Sequence, residues 1–275
     1  MDTKRQSSPL IVILGVTASG KSSLAMELAR KYDGEIICAD SRTVYKGMDI
    51  GTAKPTTTDR NEIRHHILDV VDPSERFTAA EFKRQATAAI EDILSRGKIP
   101  ILSGGTGLYI DGLIFDFAFL PPASLEDREY LQSMTVVELQ DKVKSMDLDM
   151  PENNSNPRHL IRTIETNGAV PVKKDIRKNT LVIGLDINKE TIEDRIQSRS
   201  EAMIEDGLQK EVESLYLKYG WESPGLSAVG YREWVSYFEG RSNLEYMLKE
   251  TALSNFVGLA YTNEAPLYRK ICAVP

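Results

Sequence analysis

Cysteine is nearly absent: Cys38 and Cys272 are the only two thiols in 275 residues. So distant a pair offers neither a disulfide framework nor a zinc site, and the expected compartment is a reducing one. Long apolar runs are missing as well. Lys4 and Arg5 precede an apolar stretch at residues 10–14, which is far short of a signal-peptide core or of the roughly 20 residues a membrane span requires. The expected location is therefore the cytoplasm, with no membrane partner. Positive charge is in deficit, 34 Lys and Arg against 41 Asp and Glu, for a formal charge of −7. That balance argues against a uniformly basic nucleic-acid binder and leaves room for a local basic face. With no internal repeat and no long low-complexity segment, the organisation has to come from alternating strand and helix signals. The length allows one large domain or two modest ones.

What is present begins with residues 10–24, LIVILGVTASGKSSL. The apolar run at 10–14 reads as a strand buried on both faces, as in a parallel sheet. Gly15, four spacer residues and then Gly20-Lys21-Ser22 match the phosphate-binding loop pattern in full. Gly15 and Gly20 permit the backbone angles of a tight turn, so that the amides across Val16, Thr17, Ala18 and Ser19 can point inward at an anion. Lys21 supplies a point charge for a phosphate, and the Ser22 hydroxyl is the expected Mg²⁺ ligand. A helix-compatible run follows, so a helix N-terminus also faces the anion. This fixes a phosphate or diphosphate site without naming the ligand or the reaction.

Further along, residues 35–39 read as a second buried strand that ends at Asp40, on the sheet edge where ligands bind in open parallel sheets. Residues 41–55, SRTVYKGMDIGTAKP, read as a shaped loop. A helix with a capping-box start at Thr78 and Glu81 runs to Gly97. Residues 99–102 form a third strand, followed by the Gly-rich turn Ser103-Gly104-Gly105-Thr106-Gly107. From Pro121 the pattern changes to helical runs at 125–131, 136–146 and 158–166 without a convincing strand. Residues 180–185 return to the buried-strand style, with helices expected from Thr191 to about Glu205 and over 208–219 and 231–238. The expected fold is α/β: a P-loop NTPase-like parallel sheet flanked by helices. Its core is discontinuous, residues 1–120 and 180–275, with a helical insertion at 121–179.

A small-molecule kinase is the first reading such a loop invites. Asp40 is placed to sit near Mg²⁺, and Arg195 and Arg199, one helical turn apart, can neutralise a transferred phosphoryl group. Plainer roles stay open on residue type alone. Asp40 also suits a loop cap, Thr106 a turn, and Arg195 and Arg199 a solvated face shared with Glu193 and Asp194. His65 and His66 lack the further Cys or His a metal site needs and read as packing or backbone-bonded residues. Asp49 reads as shaping its loop.

Several stretches resemble the tRNA dimethylallyltransferase family: Gly15 through Ser22, then Asp40-Ser41-Arg42 leading to Val44-Tyr45-Lys46-Gly47-Met48-Asp49-Ile50-Gly51-Thr52-Ala53-Lys54-Pro55. His65-His66, Asp72-Pro73, Gly104-Gly105-Thr106-Gly107-Leu108-Tyr109, Asn156-Pro157-Arg158, Arg195 with Arg199, and Val229-Gly230-Tyr231-Arg232 are similar to the same family. The block from Asp40 to Pro55 is the most specific part, because ordinary kinases have no reason to carry it.

The resemblance implies that a dimethylallyl group moves from dimethylallyl diphosphate to N6 of adenine 37 in tRNA. The loop residues Gly15 to Ser22, with Mg²⁺ on Ser22, would then neutralise the departing diphosphate, and Arg199 would reach it too. Asp40 would accept a proton from the adenine amine, which must leave its stack to enter the site. Asp40, Lys21, Thr106 and Arg199 carry the catalysis by this resemblance. Asp40, Ser41, Arg42, Thr43, Thr106, Arg128, Arg158, His159, Leu160, Ile161 and Arg162 face the tRNA, the later ones on its anticodon stem-loop. A monomer is expected. A related enzyme prenylating AMP is the second alternative beside the kinase.

Composition adds a local basic segment at 158–178, where six basic residues stand against two acidic ones, a net charge suited to steering a phosphate backbone. Two features depart from the family. Thr43 stands where Gln is usual, a shorter reach toward anticodon-loop bases. Residues 253–275 lack the family's basic tRNA-gripping segment, so a divergent, truncated or frameshifted terminus is expected, with weaker tRNA binding and an intact diphosphate site.

Overall fold

A computed structural model describes residues 8–120, 125–170, 172–244 and 246. The Pro121 boundary, Cys272 and the 253–275 tail lie outside the described residues. The chain divides into two compact units, Met1–Phe115 with Ile176–Pro275, and Asp116–Asp175.

The first unit is built on five parallel strands: β1 (Leu10–Gly15), β2 (Gly34–Cys38), β3 (His65–His66), β4 (Ile99–Gly104) and β5 (Thr180–Leu185). Their order across the sheet is β3-β2-β4-β1-β5, the P-loop NTPase-like parallel sheet that the sequence pattern predicts. Every residue of β2 is buried, as expected of a strand covered on both faces. The inner face of β1 and its neighbours packs Ile13, Ile36 and Ile101 against Ala25, Met26 and Ala29 of helix α1 (Lys21–Tyr32). Fully burying one such aliphatic side chain contributes about 1.5–3 kcal/mol, so this layer fixes the start of α1 against the end of β1.

Helix α2 (Thr57–Glu62) and β3 had no signal in the apolar pattern. No residue of α2 is buried, so it has no apolar stripe, and a Thr56–Asp59 capping box holds its start. Strand β3 is two histidines paired with Ile36 and Ile37 at the sheet edge. The ring of His65 bonds the Ile63 carbonyl at 2.8 Å, the backbone bonding expected of it, whereas that of His66 meets the Glu35 carboxylate at 2.8 Å. Helix α3 (Ala79–Ser95) begins on the predicted Thr78–Glu81 box. Helix α4 (Gly107–Ile114) follows β4 directly.

The second unit is helical: α5 (Leu125–Gln132), α6 (Val136–Ser145) and α7 (Pro157–Glu165). Leu131, Leu139, Val143, Leu160, Ile161 and Ile164 form its own small core. Returning to the first unit, α8 (Lys189–Glu205) starts two residues before the expected Thr191, because the Asn188 side chain accepts the Thr191 N–H and caps it. Helix α9 (Leu208–Tyr219) matches its expected span, whereas only Trp234–Phe238 of the 231–238 run is helical, as α10.

Candidate active site

Parallel strands bring their carboxyl ends to one edge. Leu14 pairs with Gly104, and Cys38 with Ser103, so the loops after β1, β2 and β4 emerge side by side. The chain leaves β1 toward β2 and leaves β4 toward β5 on the other side, and that divergence is where such sheets bind ligands.

After β1, the loop curls through Ala18 at φ 60° and Gly20 at φ 93°. A non-glycine residue in the left-handed region carries strain of about 1 kcal/mol, which the surrounding packing holds in place. The Ser19 hydroxyl is buried with no partner. The Lys21 ammonium donates to the Val16 carbonyl at 2.5 Å, closing the cup. Burial pushes the Lys21 amine down to about 8, with the nearby Asp40 carboxylate opposing the shift and Arg199 adding to it. Burial also lowers Arg199 from its ordinary range, again opposed by Asp40. Both cations therefore sit partly desolvated beside one carboxylate, and an incoming polyanion restores the electrostatic balance they lack.

After β2, Asp40 is fixed by its own turn: the Arg42 N–H donates to its Oδ1 at 2.8 Å. The loops after β2 and β4 are stitched together. The Thr106 N–H donates to the Ala39 carbonyl at 3.1 Å, and the Ser41 N–H donates to Thr106 Oγ1 at 3.0 Å. The Ala39 N–H donates in turn to Ser103 at 2.8 Å. Gly104 is required here, since a Cβ on it would overlap the Ala39 carbonyl. Thr43 is buried and Arg42 reaches Ser227 at 3.5 Å.

These loops line one cavity of about 960 Å³ that contains Thr17 to Ser22, Asp40 to Thr43, Thr106, Arg195 and Arg199. The volume is that of a small-molecule site. Arg195 is exposed and donates to the Ala18 carbonyl at 3.2 Å, so neither it nor Arg199 is spent on Glu193 or Asp194. Lys189 takes Glu193 instead, at 3.6 Å. Gly51 to Pro55 and Val229 are also part of the wall. Asp49 indeed shapes its loop, pairing with the buried Lys54 at 2.8 Å, which also holds Asp69 at 2.6 Å and the Tyr45 carbonyl at 2.5 Å.

Gly15 and Val16, also expected at the diphosphate, are not among the residues lining this cavity; the other sequence-predicted residues belong to the helical unit and are described within it. Arg158 and His159 are exposed on the first turn of α7, while Leu160 and Ile161 point into the unit's core. Arg128 and Arg162 flank the fully buried Glu165 carboxylate at 3.6 and 3.1 Å, and Arg162 also donates to the Leu120 carbonyl at 2.8 Å.

One group escaped sequence reasoning. Glu211 of α9 accepts the N–H groups of Asp49, Ile50 and Gly51 at 2.9, 2.8 and 3.1 Å and the Tyr231 hydroxyl at 2.6 Å. The three amides lie 160 to 162 residues away in sequence and Tyr231 lies 20 away, so no local pattern signals it.

Among the described residues no three His, Cys, Asp or Glu side chains gather as a metal cage, and no helix is long and apolar enough to cross a membrane. A model of the IPP transferase family matches residues 43–256. A tRNA dimethylallyltransferase of Bacillus pumilus is 35% identical over 265 residues, 90% of this chain and 83% of the relative. The solved full-length tRNA isopentenylpyrophosphate transferase of Bacillus halodurans is similar with a TM-score of 0.71 at 33% identity, covering 96% of this chain and 87% of that one. A eukaryotic dimethylallyltransferase, solved in crystallographic snapshots acting on tRNA, is similar with a TM-score of 0.77 at 28% identity, covering 93% of this chain and 69% of that one.

Proposed function

The chain belongs to the IPP transferase family, and from that premise we propose that it transfers a dimethylallyl group from dimethylallyl diphosphate to N6 of adenine 37 in tRNA. The observation that carries this reading is the placing of Asp40 in one cavity with the phosphate loop, Lys21 and Arg199.

The loop from Thr17 to Ser22, with Lys21 and Arg199, holds the diphosphate and stabilises the charge that grows on it as it leaves. The adenine N6 lone pair is delocalised into its ring, so the amine is a weak nucleophile. It attacks C1 of the allylic group as the C1–O bond breaks. The N6 proton passes to the Asp40 carboxylate and pyrophosphate departs. Thr106 holds the backbone after Asp40, which keeps the base and the cup in register.

The donor set suits a magnesium ion. The Ser22 hydroxyl offers an oxygen ligand on the cavity wall, and such an ion takes one or two protein ligands with the rest from phosphate and water. Ser22 would hold it, and it would supply further charge neutralisation on the diphosphate. Arg158 and the other basic residues of the helical unit, Lys173 and Lys174 among them, would meet the anticodon stem-loop.

Incubation with labelled dimethylallyl diphosphate, in parallel with bulk tRNA and with AMP, tests the reading. Label is expected in tRNA, at N6 of adenine 37 after digestion. Label in AMP alone, or phosphate transfer from ATP to a small acceptor with no prenyl transfer, would overturn it.

A further inference from the structure

Glu211 points to a control on the cavity that lies outside the reacting groups. One carboxylate takes four donors: three consecutive backbone amides, from Asp49, Ile50 and Gly51, and the Tyr231 hydroxyl. Charge-assisted bonds of this kind are about twice as strong as neutral ones. The amides belong to the turn that opens the Gly51–Pro55 wall. That turn is tightened further by Ala53 N–H to the Ile50 carbonyl at 2.9 Å and Lys54 N–H to the Asp49 carbonyl at 3.0 Å.

Tyr231 belongs to the turn that carries Val229, another residue of the wall. Its ring lies so close to Gly51 that a Cβ there would meet ring atoms at 2.6 Å. Burial and the Glu211 carboxylate both raise the Tyr231 phenol, so it stays protonated and donates. Glu211 thus joins two stretches of the cavity wall that are far apart in sequence, and it does so from α9 without lining the cavity itself.

We infer that Glu211 is a positioning residue for the transfer reaction: by anchoring the 49–51 turn to Tyr231 it holds the Gly51–Pro55 wall at the spacing the two substrates need. This rests on the transferase reading for its kinetic consequence, because misplacing reacting groups by about 1 Å can lower a rate as much as 10²-fold. The phosphate cup has no bond to Glu211, so anion binding does not depend on it.

Glu211→Gln keeps size but replaces one acceptor oxygen with an NH₂, which faces a donor. In the full-length variant, amide exchange at Ile50 and Gly51 should speed at least fivefold while β1 and β4 keep their protection. The kcat for tRNA prenylation should fall at least fivefold, with the Kd for inorganic pyrophosphate within threefold of the parent. A smaller fall in kcat, unchanged exchange, or pyrophosphate binding weakened more than threefold would overturn the inference. If Glu211→Gln does not fold, Tyr231→Phe, which removes one donor and keeps the ring on Gly51, carries the same comparison with a twofold threshold. A parent protein that transfers no prenyl group would sink the transferase reading, while the exchange arm still decides whether Glu211 anchors the turn.

Discussion

Gly104 and Ala39 are in backbone contact across β4 and β2, with no room for a methyl carbon between them. The same Ala39 carbonyl accepts the Thr106 N–H, so this contact sets the spacing between Asp40 and Thr106. Gly104→Ala should destabilise the fold by about 1–3 kcal/mol, the range for overpacking, visible as a lower urea midpoint. Prenyl transfer should fall further than the folded fraction, because the displaced strand carries Asp40 and Thr106 apart. Equal losses of stability and activity would show that the contact serves packing alone.

Lys21 gives a pH signature. Its amine is held down to about 8 by burial, so raising the pH through 8 removes the charge proposed to meet the diphosphate. Pyrophosphate affinity should fall above pH 8, and binding there should take up a proton, detectable as a dependence of the binding enthalpy on buffer ionisation. The stability effect has the opposite sign: the unfolded chain holds this proton up to about its ordinary value of 10.5, so the lysine opposes folding below pH 8 and ceases to as the pH rises toward 10.5. Lys21→Met should remove both trends relative to the parent. Persistence of the affinity trend in that variant would assign it to another group.

Arg158 lies exposed at the start of α7. If it meets an RNA phosphate, Arg158→Ala should weaken tRNA binding and reduce the slope of log K against log salt by about 0.7–0.9, one counterion's worth. Pyrophosphate binding should not change. A slope equal to the parent's would remove Arg158 from the interface.

The sheet and the phosphate loop were legible because their signals are local. Buried strands such as 35–39 show as continuous apolar runs, the Gly15 to Ser22 spacing is contiguous, and the Thr78–Glu81 box marks a helix start within four residues. Helix α2 and β3 were not, because α2 buries nothing and β3 is two histidines held by partners elsewhere. Asp40 could be named from its place at a strand end, yet its spacing from Thr106 depends on Gly104 closing against Ala39, which pairs positions some 65 residues apart. The Glu211 anchor was invisible for the same reason at greater range: a glutamate on an amphipathic helix looks like any solvated charge until the amides it accepts are known.

Asp40 is proposed as the proton acceptor in the cavity it shares with the anion-binding cup. Single-turnover transfer from dimethylallyl diphosphate to tRNA by Asp40→Asn, measured alongside its Kd for pyrophosphate, tests this most directly. Asparagine still accepts the Arg42 N–H, so the turn is kept. The expected result is transfer slowed by at least about 10²-fold, the usual contribution of a general base, with pyrophosphate bound within threefold of the parent. Transfer at the parent rate would contradict it.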